Sequence, residues 1–139
     1  MEEKTILLAE GDKIIADRLC KILKDAQYKV DVATTGKSGK ELFNVHSYDL
    51  ALVDFRLPDN DGCELCDYIR RRDDDIPLLM LSSGADENKL EVFRSGVDSY
   101  CVITADPREL LMRIGVLTRR AALGFRKGHR IRAGRLIMD

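Results

Sequence analysis

The chain has 139 residues, 45% of them hydrophobic, with 23 Lys and Arg against 24 Asp and Glu. That length suits one domain able to bury a core without disulfide staples, and the apolar content excludes a disordered chain. No apolar run approaches the roughly 18 residues of a membrane span, and the acidic start MEEK lacks the basic flank of a secretion signal, so a cytoplasmic location is expected.

Five apolar runs read as strands: Ile6 to Ala9, Val30 to Ala33, Leu50 to Val53, Leu78 to Leu81 and Tyr100 to Ile103. Between them lie helical patterns, beginning with Ile15, Leu19, Ile22 and Leu23 at i, i+4, i+7 and i+8. Helix starts are signalled at Gly36, at Asp61-Gly62, at Asp86 and at Asp106-Pro107, where an N-cap precedes a first-turn proline. Five βα units in succession predict an α/β domain, a doubly wound five-stranded parallel sheet with helices on both faces. Cys20, Cys63, Cys66 and Cys101 fall within these core-like segments, as reduced thiols do. Cys63-x-x-Cys66 has the spacing of a redox or zinc pair, but a second ligand pair is missing and two small residues on one helix face show the same spacing.

In an open parallel sheet the crevice lies beyond the carboxyl ends of the strands. Asp54 ends the apolar third run, and the ends of the first and fourth bring Glu10, Gly11 and Asp12, and Ser82 and Ser83, to that same edge. Carboxylates beside a hydroxyl can hold a hard divalent cation and support phosphoryl chemistry, whereas an isolated strand-end Asp can also simply cap the turn after it.

The segment LALVDFRLPDNDG, residues 50 to 62, resembles the phosphoacceptor segment of response-regulator receiver domains, the CheY-like fold. The resemblance extends from residue 5 to about 122 through ILLAEGD, PLLMLSS, SGVDSYCV and ADPRELLMRI in the family's order and spacing. It implies that Asp54 accepts a phosphoryl group from a sensor histidine kinase. It further implies that Ser82 contacts that group and that Tyr100 is the aromatic that turns inward with it. Glu10, Asp54 and the Arg56 carbonyl would then contribute to a Mg²⁺ site.

Two departures set this chain apart. Gly11 stands where the family carries its main metal-binding aspartate, and Ile103 where it carries a lysine. Glycine offers no ligand, and isoleucine cannot neutralise phosphate; one lost stabiliser commonly costs about 100- to 1000-fold in rate. Asp12 is the residue able to replace the missing ligand, giving a weakened site of Glu10, Asp12, Asp54 and Arg56. The expectation is therefore a regulatory receiver and not an enzyme, atypical and independent of phosphorylation, controlling dimerisation and DNA binding by an output domain. The alternative is a conventional receiver phosphorylated at Asp54 with a rearranged Mg²⁺ site. A haloacid-type phosphatase needs a second Asp where Arg56 stands, and a flavodoxin-like protein needs a Ser, Thr and Gly phosphate cradle where EGDK stands.

Charge divides the chain: residues 1–118 carry a net of −7 and residues 119–139 a net of +6. The tail TRRAALGFRKGHRIRAGRLIMD resembles the end of a last receiver helix, a linker, and the opening strand of the winged-helix domain in OmpR/PhoB-type regulators. A receiver domain over 1–122 is expected, with 123–139 leading into an output domain that the chain lacks. DNA would be bound only through that domain, because a basic run without a readout helix is a solvated segment. The same resemblance implies a homodimer through the fourth helix, fifth strand and fifth helix, using Lys89, Glu109 and Arg113. Ser99 stands there where an acid usually meets the arginine.

Overall fold

A computed structural model describes residues 3–84, 89–104 and 106–122. Five strands form a single parallel sheet: β1 (Thr5–Ala9), β2 (Lys29–Ala33), β3 (Leu50–Asp54), β4 (Leu78–Ser82) and β5 (Ser99–Val102). Their order is β2-β1-β3-β4-β5, so the chain direction along the sheet reverses at β1. The helices are α1 (Lys13–Asp25), α2 (Gly36–Val45), α3 (Gly62–Arg72), α4 (Lys89–Arg94) and α5 (Pro107–Ala122). This is the doubly wound fold that the alternating runs predict.

Each central strand is buried on both sides, which is why β1, β3 and β4 read as continuous apolar runs. Leu7, Ala51, Val53, Leu78 and Met80 pack with α3 and with Val92 of α4, while Ile6, Leu8, Leu50, Leu52, Leu79 and Leu81 pack with α1 and α5. Side chains alternate across a strand, so every second residue serves the opposite layer. Cys63 and Cys66 belong to the first of these layers, and burial pushes both thiols up, away from the reactive thiolate. No described helix is long and apolar enough to cross a membrane.

Local signals set the helix starts. Asp12 caps α1 by accepting from the Ile15 N–H, Thr35 and Ser38 form a capping box at α2, and Asp61 caps α3 from the Glu64 N–H. The expected start at Asp86 lies outside the described residues, as does the segment 123–139. β5 ends at Val102, one residue before the expected Ile103, which occupies the following turn and donates its N–H to the Ser82 carbonyl at 2.6 Å.

Candidate functional site

An open cleft of about 490 Å³ lies at the carboxyl edge of the sheet, beside the reversal point at β1. Glu10, Asp12, Asp54, Arg56, Ser83 and Ile103 line it together with Ile15, Leu57 and Pro58. Proximity is thus observed for the carboxylates, Arg56 and the isoleucine that stands in the lysine position. Three acidic residues and one arginine line the cleft, and the remaining wall is largely apolar.

Asp54 is 8% exposed and Glu10 only 1%. The Asp54 Oδ1 accepts from the Arg56 N–H at 2.9 Å, which folds the chain back just after β3. Gly62 presses against this turn; a Cβ there would collide with the Asp54 carbonyl. Glu10 Oε2 accepts from the Asp12 N–H at 3.1 Å, whereas Oε1 is buried and receives no hydrogen bond from a protein donor. Burial first, and then the Asp54 carboxyl beside it, push Glu10 up to about 8, against the lowering effect of the Asp12 N–H.

The residues do not fit the three-carboxylate Mg²⁺ site that the resemblance implies. Gly11 has no side chain, and a Cβ there would lie 2.6 Å from Pro58 Cδ and 2.8 Å from Pro58 Cγ, so the proline ring occupies the space a ligand would need. Asp12, the expected substitute, has its Oδ1 committed to the Ile15 N–H at 3.1 Å as the cap of α1. Among the described residues no three His, Cys, Asp or Glu side chains converge as a metal-binding group.

Ser82 and Tyr100 lie together. The Tyr100 hydroxyl donates to Ser82 Oγ at 2.7 Å, and the Gly84 N–H donates to the same oxygen at 2.9 Å. Tyr100 also packs near Phe93 of α4, with ring centroids 6.4 Å apart. Arg113 donates to Glu109 Oε2 at 3.0 Å and to Ser99 Oγ at 3.1 Å, so the serine meets the arginine through its hydroxyl. Lys89 opens α4, but its side chain lies outside the described residues.

Three contributors escape sequence reasoning. Asp59, in the loop after β3, accepts from the Gly36 and Lys37 N–H groups at 2.8 and 2.9 Å, and these bonds hold its carboxyl below the usual range. Pro58, beside it, covers Gly11, so the loop is pinned at two points over the cleft. Arg70 ties the opposite end of the sheet: it donates to the Gly96 and Ile76 carbonyls at 2.8 Å each and to Asp98 Oδ2 at 2.9 Å. The signal for Asp59 and Pro58 was present in the turn residues Pro-Asp-Asn; the long-range partners were not.

The response regulator receiver domain family matches residues 6–115. The transcriptional regulatory protein ResD of Bacillus subtilis is 31% identical over 120 residues, covering 86% of this chain and 50% of ResD. The transcriptional regulatory protein CusR of Escherichia coli K12 is 33% identical over 118 residues, 84% of this chain and 52% of CusR. The chain therefore spans about half the length of these curated relatives, and 18% of the protein RcaC of Microchaete diplosiphon, with which it is 37% identical. A CheY-like receiver domain protein from Methanospirillum hungatei superposes with a TM-score of 0.83 at 28% identity, over 88% of this chain and 98% of that one. The receiver domain of the Francisella response regulator 1452 gives 0.78 at 30% identity, over 85% and 98%. With its sheet order, its strand-end aspartate and a match over most of its length, the chain belongs to the response regulator receiver domain family.

Proposed function

We propose that this receiver acts in the cytoplasm as an atypical, phosphorylation-independent regulator of a DNA-binding output domain of the kind that the names of its relatives suggest. Residues 123–139 would be the linker and first strand leading into that domain. The observation that carries the reading is Ile103 in the wall of the Asp54 cleft. A phosphoryl group on Asp54 would add charge to three carboxyls where Arg56 is the one basic residue among the described residues lining the cleft, and Arg56 stands beside the Phe55 ring, 5.9 Å from its centroid. The Tyr100 bond to Ser82 supports the same reading, because the hydroxyl expected to contact a phosphoryl group already accepts two hydrogen bonds.

Output in this reading is dimerisation through α4, β5 and α5, where Leu90 and Phe93 of α4 and Met112 of α5 are exposed apolar residues. Each exposed ion pair there contributes about 0–1 kcal/mol, so apolar contact must supply most of the affinity of a weak symmetric dimer. Phosphorylation at Asp54 by a sensor histidine kinase is the second reading, with Glu10, Asp12, Asp54 and Arg56 at a rearranged Mg²⁺. The buried Glu10 Oε1 favours it, as an oxygen that a cation would satisfy.

Mass spectrometry after incubation with a small phosphodonor and Mg²⁺ separates the two. Little or no labelling is expected, together with an unchanged dimerisation constant for Asp54→Asn in analytical ultracentrifugation. Labelling of Asp54 at the level of an ordinary receiver would overturn the first reading.

A further inference from the structure

A second groove runs along the amino edge of the sheet, at the end opposite Asp54. Two clefts, of about 130 and 330 Å³, join there, since Tyr48, Asp73 and Ile76 line both. One end is acidic: Asp49 before β3 and Asp73 and Asp75 before β4 stand against Lys4. The other end adds Phe43 and Val45 of α2 beside Tyr48 and Ile76, and Val45 is 74% exposed. Arg72 also lines that end, but its guanidinium is stacked 3.5 Å from the Tyr68 ring centroid and donates to the Tyr68 carbonyl. Asp49 accepts from the Thr5 N–H through Oδ2, and Asp73 from the Asp75 and Ile76 N–H groups through Oδ1. An ionised carboxylate has about four lone-pair sites, so both can accept further donors.

The last turn of α5 forms one wall of this groove: Thr118, Ala121 and Ala122 line its acidic end, so the chain leaves α5 at the groove itself. The next residues read Leu123, Gly124, Phe125, Arg126 and Lys127, and residues 123–139 hold five bases against one acid where residues 1–118 carry a net of −7. Arg126 comes four residues after Ala122, within about 14 Å of it along an extended chain. A tether that short keeps the bases at high effective concentration beside the three aspartates. We propose that residues 123–130 occupy this groove, Phe125 over Tyr48 and Ile76, and Arg126 and Lys127 against Asp49, Asp73 and Asp75. The receiver thereby holds the segment that follows it, and the same bases are kept from other anions such as nucleic-acid phosphates. This inference takes from the proposed function only that 123–139 lead toward an output domain, and it holds whichever way Asp54 is used.

The test is carbodiimide cross-linking of the full 139-residue chain, which joins a lysine amine to a carboxylate in contact with it, read by peptide mass spectrometry. Lys127 should couple to Asp49, Asp73 or Asp75 within one molecule, in a yield independent of protein concentration. At about 0.5 M NaCl, where the Debye length is roughly 4 Å, that yield should fall several-fold. Arg126→Glu combined with Arg130→Glu keeps Lys127 and should lower the yield about fivefold, while the Tyr48 and Ile76 amides shift in the NMR spectrum of the same variant. Coupling of Lys127 chiefly to acids outside the groove, or an unchanged yield and spectrum in the double variant, would overturn the proposal. Coupling between molecules only would overturn it too, by giving the groove to a second copy of the chain. Phosphodonor labelling of Asp54 tests the proposed function and leaves these cross-links untouched, so either reading can fail alone.

Discussion

Glu10→Gln replaces a buried acid with a neutral group of the same shape, and its effect on stability should depend strongly on pH. Glu10 titrates near its ordinary 4.5 in the unfolded chain and at about 8 in the fold. Below about pH 4.5 both states carry the proton, and burial of the carboxyl costs little. Between 4.5 and about 8 the unfolded chain releases a proton that the fold retains, so stability falls as pH rises; above about 8 the cost is complete and constant. The full separation corresponds to about 5 kcal/mol. Water in the adjoining cleft screens part of it, and about half, roughly 2 kcal/mol, is the expected gain for the glutamine variant at pH 8. For a domain of this size that is a rise of roughly 6–8 °C in Tm. Urea unfolding of both proteins at pH 5 and at pH 8 reads the difference directly, since other titrating groups cancel in each pair. A gain that is the same at both pH values, or a parent protein that outlasts the variant at pH 8, would refute the argument that Glu10 is buried as a strained acid.

Two further substitutions probe the supports of the site. Gly11→Ala should cost about 1–3 kcal/mol, because its Cβ would meet the Pro58 ring, and Pro58→Ala should recover part of that loss; strictly additive costs in urea unfolding would show that the ring is not the obstacle. Arg70→Ala should cost about 3 kcal/mol in the same assay, since it leaves three carbonyls and the Asp98 carboxylate without their guanidinium; a loss under about 1 kcal/mol would mean that water replaces the arginine.

In the proposed reading, dimerisation and cleft chemistry would meet at Tyr100. Its ring lies near that of Phe93 of α4 and its hydroxyl donates to the buried Ser82 Oγ, so a change in Ser82 would reach the α4 and β5 face through one side chain.

The amino-acid sequence by itself determined the layered fold and the position of Asp54. Buried runs such as Leu50 to Val53 and the spacing of Ile15, Leu19, Ile22 and Leu23 are local periodicities, and strand and helix burial read directly from them. The cap at Asp61 was equally local, and Gly11 and Ile103 stood out because the segments around them resemble a known family so closely. Only the tertiary structure decided how these residues meet. Asp12, expected to replace the missing metal ligand, instead has one of its oxygens committed to the Ile15 N–H as the cap of α1. Pro58 over Gly11 and Asp59 on Gly36 join residues 47 and 23 positions apart, and Arg70 reaches Gly96 and Asp98 from 26 and 28 positions away. Such contacts have no periodic signature, because they arise where loops from different βα units converge. The acidity of Glu10 is of the same kind: it is set by burial and by the carboxyl of Asp54, 44 residues away in the chain and beside it in the fold.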